Sequence, residues 1–144
     1  MQSYDVHAVS SAPPSAVWSA LLDTASWTKW TPIDELVAAK STSGVAQVGT
    51  LRTFRTGSVV TTERVTSLEP LRRMDYEGVE NPQLRDYQAS IELDQTPTGG
   101  TAIHWHGRYR ARPGMGLVMR WYLQRFMQKM ASGLAAYAQQ QSAG

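Results

Sequence analysis

Residues 99–137 read GGTAIHWHGRYRARPGMGLVMRWYLQRFMQKMASGLAAY, and the change of period inside this stretch decides the fold. Gly99-Gly100 is a turn signal. After it, Ile103, Trp105 and Tyr109 alternate with His104, His106, Arg108 and Arg110, so Thr101–Arg110 is predicted as a strand with one buried and one wet face. Pro113-Gly114 breaks the strand. From Met115 the period is helical. Met115, Met119, Tyr122, Leu123, Phe126, Met130, Leu134 and Tyr137 fall at three- and four-residue steps, with Arg120, Gln124, Gln128, Lys129 and Ser132 away from that stripe. A single long amphipathic helix that follows strands must bury its stripe on the sheet they form. The first half of the stripe is Met, Tyr and Phe, which adapt to irregular space. The second half is small and aliphatic, with Ala131, Gly133, Leu134 and Ala135. Tight packing is expected at the C-terminal end and a roomier pocket at the N-terminal end.

Upstream, the chain reads as short strands after two helices. Tyr4–Val9 alternates. Pro13-Pro14 then opens a helix with Val17, Trp18, Leu21 and Leu22 on one side, closed by Asp23-Thr24. Ser26 is placed to cap a very short second helix that carries Trp27 and Trp30 and stops before Pro32. Strands are predicted near Leu36–Lys40, Gly49–Phe54, Ser58–Leu68, Arg72–Gly78, Asp86–Asp94 and Thr101–Arg110. No helix lies between them, so the sheet is an antiparallel meander. Tyr87, Ala89, Ile91 and Leu93, with Met74 and Tyr76, define its inner face, which is rich in rings with polar tips. The whole, 1–144, is read as one domain of the α+β class.

Composition narrows the function. Hydrophobic residues are 42% and charged residues 18%, which fits a folded domain and argues against disorder. There is no cysteine, so disulfides and thiolate chemistry are excluded. The first residues show no signal peptide, and no apolar run approaches the about 20 residues of a membrane span; a cytoplasmic location is expected. The net charge of +2 is unevenly spread: 8 basic residues stand against 12 acidic ones up to Asp94, and six basic residues with no acid follow. These charges are spaced out and read as solvated surface, without the dense aromatic-laced patch of a nucleic-acid binder.

Sites of familiar chemistry are scarce. Gly114-Met-Gly116 has no third glycine and no returning parallel strand, and phosphate-loop, nucleophile-elbow and paired-histidine zinc motifs do not occur. His104 and His106 share the outer face of their strand, and His7 could lie across from them; a surface cluster is expected there rather than a metal site. No cofactor is expected. If Val65 points inward, Glu63 shares its face and is the one candidate for a buried, proton-handling carboxyl.

Taken in order, the first strand, the Pro-Pro-Ser-Ala-Val-Trp helix, Trp27-Thr-Lys-Trp30, Val48-Gly49-Thr50, Glu63-Arg64-Val65, Pro70-Leu-Arg-Arg, Gly99-Gly100-Thr101 with Trp105, and the closing helix resemble the START-like, or SRPBCC, helix-grip superfamily. The branch they are most similar to is that of the polyketide cyclase/dehydrase and lipid-transport proteins. The resemblance covers nearly the whole chain. It implies a curved seven-stranded antiparallel sheet wrapped around the long C-terminal helix, with two short helices after the first strand and an apolar cavity inside. Candidate lining residues are Trp30, Met74, Tyr76, Tyr87, Ala89, Ile91, Trp105, Tyr109, Met115, Met119, Tyr122 and Phe126. Three functions are compatible: a binding protein for an apolar, lipid-like or ring-containing small molecule; an aromatase/cyclase-type enzyme using the same cavity; and a lipid-transfer module whose loop Arg110–Met119 touches a membrane transiently.

Overall fold

The computed structural model describes residues 1–40 and 45–143. Strand β1 (Gln2–Ser10) is followed by helix α1 (Pro14–Leu22), a single 3₁₀ turn at Thr24–Ser26 and the one-turn helix α2 (Trp27–Trp30). Six strands come next: β2 (Glu35–Lys40), β3 (Leu51–Thr56), β4 (Val59–Glu69), β5 (Arg73–Glu80), β6 (Leu84–Gln95) and β7 (Thr101–Ala111). Helix α3 (Gly116–Ala143) ends the chain. All pairings are antiparallel in the order β1-β7-β6-β5-β4-β3-β2, so the first strand closes onto the last. This is the curved helix-grip architecture of the α+β class, with α3 lying along β1 and β7.

The predicted strands are present with ends shifted by a few residues. β3 begins at Leu51 rather than Gly49 because Gly49 adopts φ +92°, a turn conformation, and donates its N–H to Val65 O at 2.7 Å. Ser26 does not cap α2. Its backbone is already helical, and its hydroxyl instead lies 2.7 Å from Asp23 O and 3.0 Å from Ala20 O while accepting the indole N–H of Trp30 at 3.0 Å. Met115 precedes α3 rather than starting it.

The core fills the space between the inner sheet face and the helices. Tyr4, Val6, Val65, Met74, Tyr76, Ile91, Ile103, Trp105 and Tyr109 from the strands are all essentially inaccessible, as are Trp27 and Leu134. A ring of indole size buries about 150–250 Å², which contributes roughly 4–6 kcal/mol at about 25 cal/mol per Å² before entropy is counted. Two glycines set close approaches. A Cβ on Gly107 would lie 2.7 Å from the ring of Tyr4, so the inward alternation of β7 is interrupted to admit that ring. A Cβ on Gly133 would lie 1.8 Å from the carbonyl oxygen of Trp30, which fixes how near α3 comes to α2.

The buried stripe of α3 is Met119, Leu123, Met127, Met130, Ala131, Leu134, Ala135 and Ala138. It is rotated from the expected one. Tyr122, Phe126 and Tyr137 sit at its margin, and Met127 takes a central place. The polar side of the helix has work of its own. Gln124 donates to Asp5 O at 2.9 Å and Gln128 to His7 O at 2.9 Å, and Gln139 accepts from Ser11 N–H at 3.0 Å.

Candidate functional site

Between β3–β6 and the first half of α3 lies a cavity of about 100 Å³. Its walls are Phe54 and Thr56 from β3, Val59, Thr61 and Glu63 from β4, Tyr76 from β5, and Leu84 and Tyr87 from β6. Tyr122, Leu123, Phe126, Met127 and Met130 from α3 cover it, and Trp27 and Ile33 close one side. Most of this surface is apolar. A dry cavity of about 150 Å³ holds one benzene ring. The present volume is about two-thirds of that, so a ligand of one ring or more requires α3 or its half-exposed Tyr122 to shift.

Its polar floor is the product of one hairpin. The Gly57-Ser58 turn pairs Thr56 with Val59, which places Arg52 directly opposite Glu63. Both point inward. Arg52 is wholly buried, and its Nη2 stands 3.2 Å from Glu63 Oε1. Its guanidinium is held by ring faces, 4.1 Å from the Trp27 centroid, 5.0 Å from Tyr76 and 5.5 Å from Phe54. Among the described residues no group accepts a well-directed hydrogen bond from Nε, Nη1 or Nη2. Glu63, with its side chain 14% exposed, is the acidic group at the cavity surface. Burial pushes its carboxyl up from the ordinary value, and the charge of the Arg52 guanidinium beside it opposes that rise without cancelling it.

A phenol chain continues from this pair. Trp105 Nε1–H donates to Tyr76 Oη at 3.1 Å, Tyr76 and Tyr87 share a hydrogen bond of 3.1 Å, and Tyr87 bonds in turn to Tyr4. All three phenols are raised, chiefly by burial, with the charge of Glu63 adding to the shift. They stay protonated at neutral pH and serve as hydrogen-bond donors and acceptors, not bases. The arrangement can therefore orient one polar atom of an otherwise apolar molecule, and Glu63 can give or take one proton.

Among the residues singled out from the sequence, Glu63, Tyr76, Tyr87, Tyr122 and Phe126 come together at the cavity. Trp30 and Trp105 lie behind Trp27 in a packed aromatic group with centroids 4.9–6.4 Å apart. Met74, Ala89 and Ile91 continue the inner face away from the cavity wall, and Tyr109 is buried where β7 pairs with the start of β1. Met119 is buried outside the cavity and Met115 is 42% exposed. Val65 does point inward. Arg52, Phe54, Thr61 and Met127 were not among those candidates. The register of the Gly57 hairpin carries the signal for Arg52, because it sets 52 against 63. His7, His104 and His106 do gather on the outer face of the sheet.

Comparison with known proteins agrees with this architecture. The polyketide cyclase / dehydrase and lipid transport family matches residues 1–139. No curated protein matches in sequence. A solved structure from Nitrosospira multiformis is 18% identical, covers 99% of this chain and 100% of its own, and superposes with a TM-score of 0.77. The protein XoxI from Bacillus cereus is 16% identical over 95% of each chain with a TM-score of 0.76. The hypothetical protein jhp0584 from Helicobacter pylori is 15% identical, with 95% of this chain and 88% of its own covered and a TM-score of 0.77. These structures share the fold. The chain belongs to the polyketide cyclase / dehydrase and lipid transport family.

Proposed function

From membership of that family, we propose that the protein binds an apolar small molecule bearing one hydrogen-bonding head, held between β3–β6 and α3. The observation that carries this reading is the cavity itself, mostly apolar on its walls, with Glu63 as its charged group and the phenols of Tyr76 and Tyr87 beside it. Its cover favours entry from a lipid surface. Beside Tyr122, the residues Leu117, Val118 and Trp121 are 81%, 59% and 64% exposed, with Arg120 among them and Arg112 and Arg125 flanking them in sequence. Among the described residues no helix is long and apolar enough to cross a membrane, so contact would be at the surface. The test is an NMR titration with 2-naphthol and with decanoic acid, together with native mass spectrometry of the purified protein. Binding should shift the ring signals of Tyr76, Tyr87 and Phe126, and Met127→Trp should abolish it. If neither compound moves these signals and nothing co-purifies, the reading fails.

A second reading, as a cyclase/dehydrase-type enzyme, is favoured by Glu63. A carboxyl raised by burial beside a fixed cation suits it to protonate a carbonyl oxygen and recover the proton from an adjacent carbon. On this reading Glu63→Gln removes turnover of a poly-β-carbonyl substrate while leaving its affinity nearly unchanged.

A further inference from the structure

The outer face of β1, β7 and β6 carries a constellation that the cavity does not use. His7 and His104 are cross-strand partners whose rings stack at 4.4 Å with planes 4° apart, and the His106 ring lies 4.5 Å from that of His104. Two carboxylates close the row. Glu92 pairs with His104 across β6 and β7, and its Oε2 is 3.0 Å from His106 Nε2 and 3.3 Å from His104 Nδ1. Asp5 places Oδ2 2.9 Å from His104 Nε2 and Oδ1 2.8 Å from His7 Nε2.

We propose that Glu92, His104 and His106 form a binding site for a divalent transition metal of the zinc class. Imidazole nitrogen and carboxylate oxygen are the donors such ions take, at about 2.0–2.2 Å, and tetrahedral angles then put neighbouring donor atoms about 3.3 Å apart. The observed separations from Glu92 match that edge. The donors come from alternate residues of one strand and a cross-strand partner, so the ladder presets their spacing and little order is lost on binding. The supports are in place as well. A metal on His104 Nδ1 leaves its Nε2–H aimed at Asp5 Oδ2, the carboxylate–histidine–metal arrangement that fixes tautomer and ring orientation. Arg73 donates to Glu92 Oε1 at 3.2 Å, which turns Oε2 toward the histidines.

A neighbouring group, Asp5, His7 and His104, also brings its donor atoms together. Asp5 and His7 are 59% and 69% exposed, whereas Glu92, His104 and His106 are each 35% exposed. The half-buried trio is therefore the site, with Asp5 as its positioning residue and the remaining coordination positions open to water. The proposal is independent of what the cavity binds.

The test uses untagged protein stripped with EDTA and titrated with Zn(II) by calorimetry and with Co(II) by its visible absorption. One equivalent of Zn(II) should bind more tightly than about 100 μM, with His106→Ala and Asp5→Asn each weakening it by about tenfold or more. Asp5 is exposed and His106 half-buried on the outer face of the sheet, and unchanged circular dichroism checks that the variants remain folded. Binding weaker than that in the wild type, or equal affinity in His106→Ala, overturns the proposal.

Discussion

At the C-terminal end of α3, Ala131, Leu134 and Ala138 are completely buried and Gly133 lets the helix backbone meet the Trp30 carbonyl. At its N-terminal end the same helix leaves Leu117, Val118 and Trp121 to solvent and spans a cavity with Tyr122, Phe126 and Met127. One end is closed by small side chains that bring backbones together. The other is propped open by large ones lying over a charged floor. The contrast teaches that the cavity depends on both ends. Close packing at α2 anchors α3, and the bulk of Met and aromatic residues holds it off the sheet further along.

The strongest way to break this contrast is at the floor of the open end. Arg52→Ala leaves Glu63 buried without its cation, and removing one member of a buried pair costs about 3–5 kcal/mol. Urea denaturation should show that loss, and a loss below about 1 kcal/mol would mean that the pair is not buried in solution. At the closed end, Gly133→Ala should destabilise by about 1–3 kcal/mol through collision with the Trp30 carbonyl. An unobstructed helical Gly→Ala change instead gains about 1 kcal/mol, so the sign of the shift in Tm decides.

A smaller, pH-dependent effect sharpens the reading of the floor. Because the folded-state value of Glu63 is raised, the native protein holds its proton more firmly than the unfolded chain does. The stability this contributes is full below the unfolded carboxyl value and lost as pH rises through the folded one. Glu63→Gln lacks that loss, so its stability relative to wild type should improve as pH rises from about 4, with a slope of at most about 1.4 kcal/mol per pH unit, and level off once the folded value is passed. A relative stability that instead declines over that range would show that Arg52 dominates over burial. The smallest expected change in stability is at the exposed tip. Leu117→Asp with Trp121→Asp should alter unfolding by less than about 0.5 kcal/mol per site while abolishing flotation with phosphatidylglycerol vesicles. Equal flotation of variant and wild type would remove the membrane from the account.

Much of the fold was legible because period alone separates the elements. The alternation of Tyr87–Leu93 and of Ile103–Tyr109 gave their inner faces, and the four-residue steps after Gly114 gave α3. Rotation of its buried stripe was not legible, because Tyr122 and Met127 satisfy neighbouring helical phases and only contact with β1 and β7 selects between them. Glu63 could be found through Val65. Arg52 could not be found by residue type, since arginine is ordinarily outside; its burial depends on three rings that arrive from α2, β3 and β5. The outer cluster was half visible for a similar reason. Three histidines follow from strand pairing, but Asp5 and Glu92 are 87 positions apart by their numbers and both reach His104 only because β7 lies between β1 and β6.

The glutamines of α3 have a consequence for how the protein behaves at high concentration. β1 is a terminal strand of the sheet, and its unpaired N–H and C=O groups would recruit a strand from another molecule. Gln124 and Gln128 occupy those groups at Asp5 and His7, standing in for the missing neighbour. Among the described residues, no side chain of α3 hydrogen-bonds the opposite terminal strand, β2, whose pairing with β3 is irregular between Leu36 and Ala38. Intermolecular strand addition, the first step toward fibrils, should therefore start at β2 and not at β1.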